Sequence, residues 1–162
     1  MTAGTAEQRV GGDTCASPTE IPGLPYADTG DTDSFEDDYD EECPGDALQP
    51  DVVYSYTPPS DVVVDISLCG SGYDTKLYVY EGFCPDVGNP FACNDDACGG
   101  TTRSELQGVY FIGGVSYYIV VDGWGLNPGG SGPYNLIMSH SSVIFMDGFE
   151  SGDTLGWSSV TP

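Results

Sequence analysis

The sequence predicts an all-β fold, a jelly-roll-like antiparallel β-sandwich braced by disulfides. Three observations carry that expectation: short apolar runs that alternate with period two, turn residues between them, and an even set of six cysteines. Gly (23) and Pro (12) are frequent, which suits many turns better than helices. No segment shows helical periodicity of useful length. A chain of 162 residues with 39% hydrophobic residues is long and apolar enough for one domain with a real core.

Residues 1–12 are polar and read as an N-terminal arm. No apolar run follows Met1, so the expectation is a mature or recombinant start without an export signal. Residues 13–140 read as the sandwich. Its first part holds Cys15, a short apolar piece from Ile21 to Tyr26, and an acid run from Asp28 to Asp46 that reads as a solvated loop. Strands are expected from Asp51. DVVYSY (51–56) stops at Pro58-Pro59, which cannot continue a central strand. DVVVDISLC (61–69) alternates cleanly and ends at the turn Gly70-Ser71-Gly72. TKLYVYEG (75–82) alternates again, with Leu77 and Val79 opposed to Lys76, Tyr78 and Tyr80. NPFAC (89–93) reads as a short return strand. SELQGVYFI (104–112) and SYYIVVDG (116–123), joined through Gly113-Gly114, read as a hairpin. YNLIMS (134–139) closes the core. Residues 141–162 form a tail or added edge strand, with Val143, Ile144, Phe145, Phe149 and Trp157 interrupted by Gly and acids.

The charge balance narrows the function. There are 26 acidic residues against three basic ones (Arg9, Lys76 and Arg103), for a net charge of −23. Such a surface repels nucleic-acid phosphates and attracts cations, so no nucleic-acid partner is expected. No stretch is long and apolar enough to span a membrane. The cysteines, with no CxxC and a single histidine (His140), suit a disulfide framework and an oxidising compartment better than zinc.

Alternate connections of an antiparallel sandwich lie at the same end. With the 51–56 strand taken to pair with 61–69, that rule gathers Asp51, Asp74, Asn94, Asp95, Asp96 and Asp122 at one end. Hard oxygen donors without histidine suit Ca²⁺. The same topology favours the disulfides Cys15–Cys43, Cys69–Cys98 and Cys84–Cys93. The rival set links Cys93 to Cys98 and Cys69 to Cys84, which lie at opposite ends of one strand hairpin, too far apart for a bridge.

CGSGYDTKLYVYEG (69–82), FACNDDACG (91–99), SYYIVVDGWG (116–125) and GPYNLIMS (132–139) occur in order, after GDTCASPTEIPGLPYADTGDT (12–32) and PDVVYSYTPPSD (50–61). Together, over residues 13–139, they resemble the bacterial pre-peptidase C-terminal domain of secreted proteins. The resemblance implies a jelly-roll sandwich and a secreted, extracellular or cell-surface setting. It also implies calcium in some members, at positions matched here by Asp74 and by Asn94, Asp95 and Asp96. The tail stretch DGFESGDTLGWS resembles both a short C-terminal motif of secreted bacterial proteins and the first strand of another jelly-roll domain. Such modules usually trail a protease or other hydrolase, so the expectation is a module that stands alone or one separated from the rest of its protein.

A catalytic triad would need His140, which stands among serines at a strand end, and no G-x-S-x-G elbow exists. The expectation is a non-catalytic calcium-binding structural module that associates with itself as a homo-oligomer or filament, through its tail and with calcium. The alternative is an accessory module holding a secreted hydrolase on an extracellular polymer, with Tyr78, Tyr80 and Trp124 as exposed rings.

Overall fold

The computed structural model describes residues 11–43, 45, 48–125 and 129–142. Among these, nine strands form: β1 (Thr19–Glu20), β2 (Tyr26–Asp31), β3 (Val52–Tyr56), β4 (Val62–Ser67), β5 (Thr75–Glu81), β6 (Ala92–Asn94), β7 (Glu105–Phe111), β8 (Tyr117–Gly123) and β9 (Pro133–His140). One sheet has the order β1-β3-β8-β5-β6 and the other β2-β9-β4-β7. Every pairing is antiparallel except β1 with β3. The inward side chains of both sheets, Val52, Tyr54, Leu77, Val79, Ile119 and Val121 against Val64, Ile66, Phe111, Leu136 and Met138, form one core. The expected sandwich is therefore present.

Its connectivity departs from the expected hairpins. The 51–56 strand does not pair with 61–69: β3 pairs with β8, while β4 pairs with β7 and β9. Nor do β7 and β8 form a hairpin, because they belong to opposite sheets. Both links, 57–61 and 112–116, carry the chain from one sheet to the other. They pack on each other. The Gly114 amide donates to the Pro58 carbonyl at 2.8 Å, and a Cβ on Gly113 would lie 2.6 Å from Ser60 Cα. Phe111 and Tyr117 stack across this corner with ring centroids 3.7 Å apart. Pro and Gly runs thus serve as sheet-to-sheet arches here.

Two strands lie where none was expected. Thr19–Glu20 adds a short edge beside β3, and Tyr26–Asp31, the start of the acid run, pairs with β9 over six residues. The return strand also begins later than expected, at Ala92.

The acid run is only partly solvated: Asp33, Glu36, Asp37, Asp38 and Glu42 are exposed, but Glu41 is buried. Residues 36–43 and 45 belong to a strap across the outer face of the β3-β8-β5 sheet. Beneath it, Val53, Tyr78, Tyr80 and Val120 make a second apolar cluster. That is why β5 is buried on both faces, and why Tyr78 and Tyr80 are 0% exposed instead of presenting their rings to solvent. Two acids anchor the strap, one from the strap itself and one from the sheet beneath it. The Asp51 carboxylate accepts the amides of Asp38 and Tyr39, each at 2.9 Å. The Glu41 carboxylate accepts the Tyr80 hydroxyl at 2.6 Å and the Gly88 amide.

The strap also explains the cysteines. The bridges are Cys15–Cys84, Cys43–Cys93 and Cys69–Cys98. Only Cys69–Cys98 matches the expected set; Cys15–Cys43 and Cys84–Cys93 do not form. Cys93 is the cross-strand partner of Tyr78, so it faces the strap, and Cys43 arrives on the strap to meet it. A segment expected to close on itself spans the sheet instead. The tail, 143–162, and most of the arm, 1–12, lie outside the described residues.

Candidate metal centre

The loop after β4 and the loop after β6 meet at one end of the sandwich. Cys69–Cys98 ties them, with Cα atoms 5.5 Å apart. The Arg103 guanidinium donates to the Ser71 carbonyl, and the Thr75 amide donates to Thr102. Ser104 is fully buried between them. Its hydroxyl lies in hydrogen-bond reach of the Thr75 and Asp95 carbonyls. These contacts fix the backbone on both sides of three carboxylates.

Asp74, Asp95 and Asp96 each bring a carboxylate oxygen within 4.8 Å of the others. Oδ1 of Asp74 and Oδ1 of Asp95 are buried and have no hydrogen-bond partner within the protein. A buried acceptor without a donor is costly. Burial and the Asp96 and Asp74 charges push the Asp95 carboxyl up to about 6. Burial and the Asp96 charge raise Asp74 as well. Three crowded carboxylates, two with orphaned oxygens, form a donor set that a hard cation satisfies. The residues fit calcium: Asp74, Asp95 and Asp96 would hold it, and the ion would supply the missing partners of both buried oxygens.

The other three expected ligands stand elsewhere. The Asn94 side chain is occupied, its Oδ1 accepting the Glu105 amide at 3.2 Å. Asp51 and Asp122 are fully buried, but on the far side of Lys76. Lys76 is the cross-strand partner of Asp122. Asp51 precedes Val52, the partner of Val121, and so neighbours Asp122. On the other flank, Asp95 follows Asn94, the partner of Leu77. One row therefore runs Asp51, Asp122, Lys76, Asp95 across four strands. The acids do gather at one end, though not through a β3–β4 pair, and a lysine divides them.

Asp122 makes its own contacts: Oδ1 accepts the Gly123 amide at 2.7 Å and Oδ2 the Tyr78 hydroxyl at 3.1 Å. Burial holds its carboxyl well above the ordinary range, with the Gly123 amide, the Tyr78 hydroxyl and Lys76 opposing. Burial also raises Asp51 to about 7, and its Oδ1 is orphaned. The residue missed by sequence reasoning is Lys76. Its period-two alternation with Tyr78 was legible, but the strap that covers that face was not. Of the three rings proposed for a polymer, only Trp124 remains exposed, at 37%.

The fold has a solved counterpart. The crystal structure of the pre-peptidase C-terminal domain of collagenase from Bacillus anthracis superposes with a TM-score of 0.50 at 20% identity, covering 75% of this chain and 93% of that one. The match shows that the sandwich has the pre-peptidase C-terminal fold. No family model and no curated protein matches the sequence.

Proposed function

We propose that this domain is a non-catalytic, calcium-binding module of an extracellular protein, and that it associates with itself as a subunit of a fibre or surface assembly. The carrying observation is the triad Asp74, Asp95 and Asp96, with two buried oxygens that lack donors. The pre-peptidase C-terminal fold and three disulfides support an extracellular module. No helix among the described residues is long and apolar enough to cross a membrane. Against catalysis by a triad, His140 is the exposed last residue of β9. A net charge of −23 opposes association unless cations screen or bridge it.

The test is thermal unfolding of the chelator-treated chain in millimolar calcium and in EDTA. A ligand bound only by the native state stabilises it by about 2.7 kcal/mol at a hundredfold excess over Kd. The melting temperature should rise in calcium, and the rise should shrink in Asp74→Ala and Asp95→Ala. Identical curves in both media contradict the calcium reading.

A further inference from the structure

Lys76 is one of three basic residues in the chain, and its side chain is 0% exposed. A buried ammonium persists only where acceptors surround it. Its Nζ donates to the Gly45 carbonyl of the strap at 2.6 Å and pairs with Asp40 of the strap at 3.8 Å. It also lies 5.9 Å from the centroid of the Tyr78 ring. On the sheet it stands between Asp122 and Asp95, and its charge acts on both carboxylates. One cation is thus shared by the strap, the buried Asp122 and a calcium ligand.

We propose that Lys76 is a positioning residue that couples calcium binding to closure of the strap. The coupling rests on the calcium reading of Asp74, Asp95 and Asp96. Without the metal, Asp95 competes with Asp40 and Asp122 for the one ammonium. A bound dication takes over the charge of Asp95. The three carboxylates still outweigh it by one negative charge, so Lys76 is not expelled. Its attraction to Asp122 and Asp40 then goes unshared, and the strap closes more tightly. By linkage, a closed strap binds calcium better in return. Cys43–Cys93 keeps the strap near the site: Cys93 is two residues from Asp95, and Cys43 lies on the strap. The transition is therefore a local tightening of a tethered segment.

The test reads amide hydrogen exchange of the full chain at Asp38 and Tyr39, whose amides bond to Asp51, in EDTA and in millimolar calcium. Wild type, Lys76→Met and Asp40→Asn are compared, and calorimetry follows calcium binding to each. In the wild type, calcium should slow exchange at these amides by about fivefold or more, the low end of ordinary coupling between sites. In Lys76→Met, calcium should still bind, while the slowing disappears. Asp40→Asn changes a position 34% exposed and so tests the link even where Lys76→Met does not fold; its slowing should fall below that of the wild type. The proposal is overturned if calcium binds the wild type and strap exchange stays the same. It is equally overturned if either variant keeps the full slowing. A wild type that binds no calcium removes the metal reading itself, and calorimetry reports that separately.

Discussion

The Tyr80 hydroxyl donates a 2.6 Å hydrogen bond to the Glu41 carboxylate, and the two residues are 0% and 1% exposed. An acid from the most charged stretch of the chain is thereby buried as the partner of a core tyrosine. The Gly88 amide donates to the same carboxylate. Hydrogen bonds to charged groups contribute about 1.5–3 kcal/mol. Tyr80→Phe should therefore lower stability by an amount in that range, measured by urea unfolding. Glu41→Ala should cost more, because it strands two donors. A Glu41→Ala variant as stable as the wild type contradicts the anchored strap.

Asp51 sets a pH dependence. Burial raises its carboxyl from 3.8 to about 7, against the pull of the Tyr39 and Asp38 amides. A raised carboxyl binds its proton more tightly in the folded state. Its stabilisation is thus complete below the unfolded value and fades as pH rises from about 4 to about 7. In EDTA, Asp51→Asn should lose less stability between pH 4.5 and pH 8 than the wild type does. Parallel losses contradict the assignment.

The disulfide pairing is open to peptide mapping without reduction. Fragments joining Cys15 to Cys84, Cys43 to Cys93 and Cys69 to Cys98 are expected, with no free thiol. Removing Cys43–Cys93 should cost about 2–5 kcal/mol, as for a native bridge in a small secreted domain. Recovery of Cys15 linked to Cys43 contradicts the strap's path.

The strands were legible where polar and apolar residues alternate, as in Val62, Val64 and Ile66 of β4, because a half-buried strand writes its burial into its period. Pairing partners were not. Alternation is the same whether Pro58-Pro59 turns a hairpin or arches between sheets, and only the packing of Gly113 on Ser60 decides it. The acid triad was half legible. Asp74, Asp95 and Asp96 follow from which loops share an end. Lys76 between Asp122 and Asp95 depends on strand register, which charge counts do not carry. The strap was hidden because ten acids in 28–46 look solvated, and Glu41 and Asp51 are acids used as buried acceptors.

Self-association should need both calcium and residues 143–162. Sedimentation velocity of the full chain and of a chain ending at 142, each in calcium and in EDTA, checks this. Only the full chain in calcium should form larger species. A full chain that stays monomeric at high concentration in calcium contradicts the fibre reading and favours an accessory module.

The most direct measurement is calcium titration calorimetry of the chelator-treated chain. One saturable site per chain is expected. Asp95→Asn should abolish the binding heat, because Asp95 supplies a buried oxygen that lacks any other partner, while Asp51→Asn, beyond Lys76, should leave the site filled. No binding heat in the wild type, or undiminished binding in Asp95→Asn, contradicts the calcium reading.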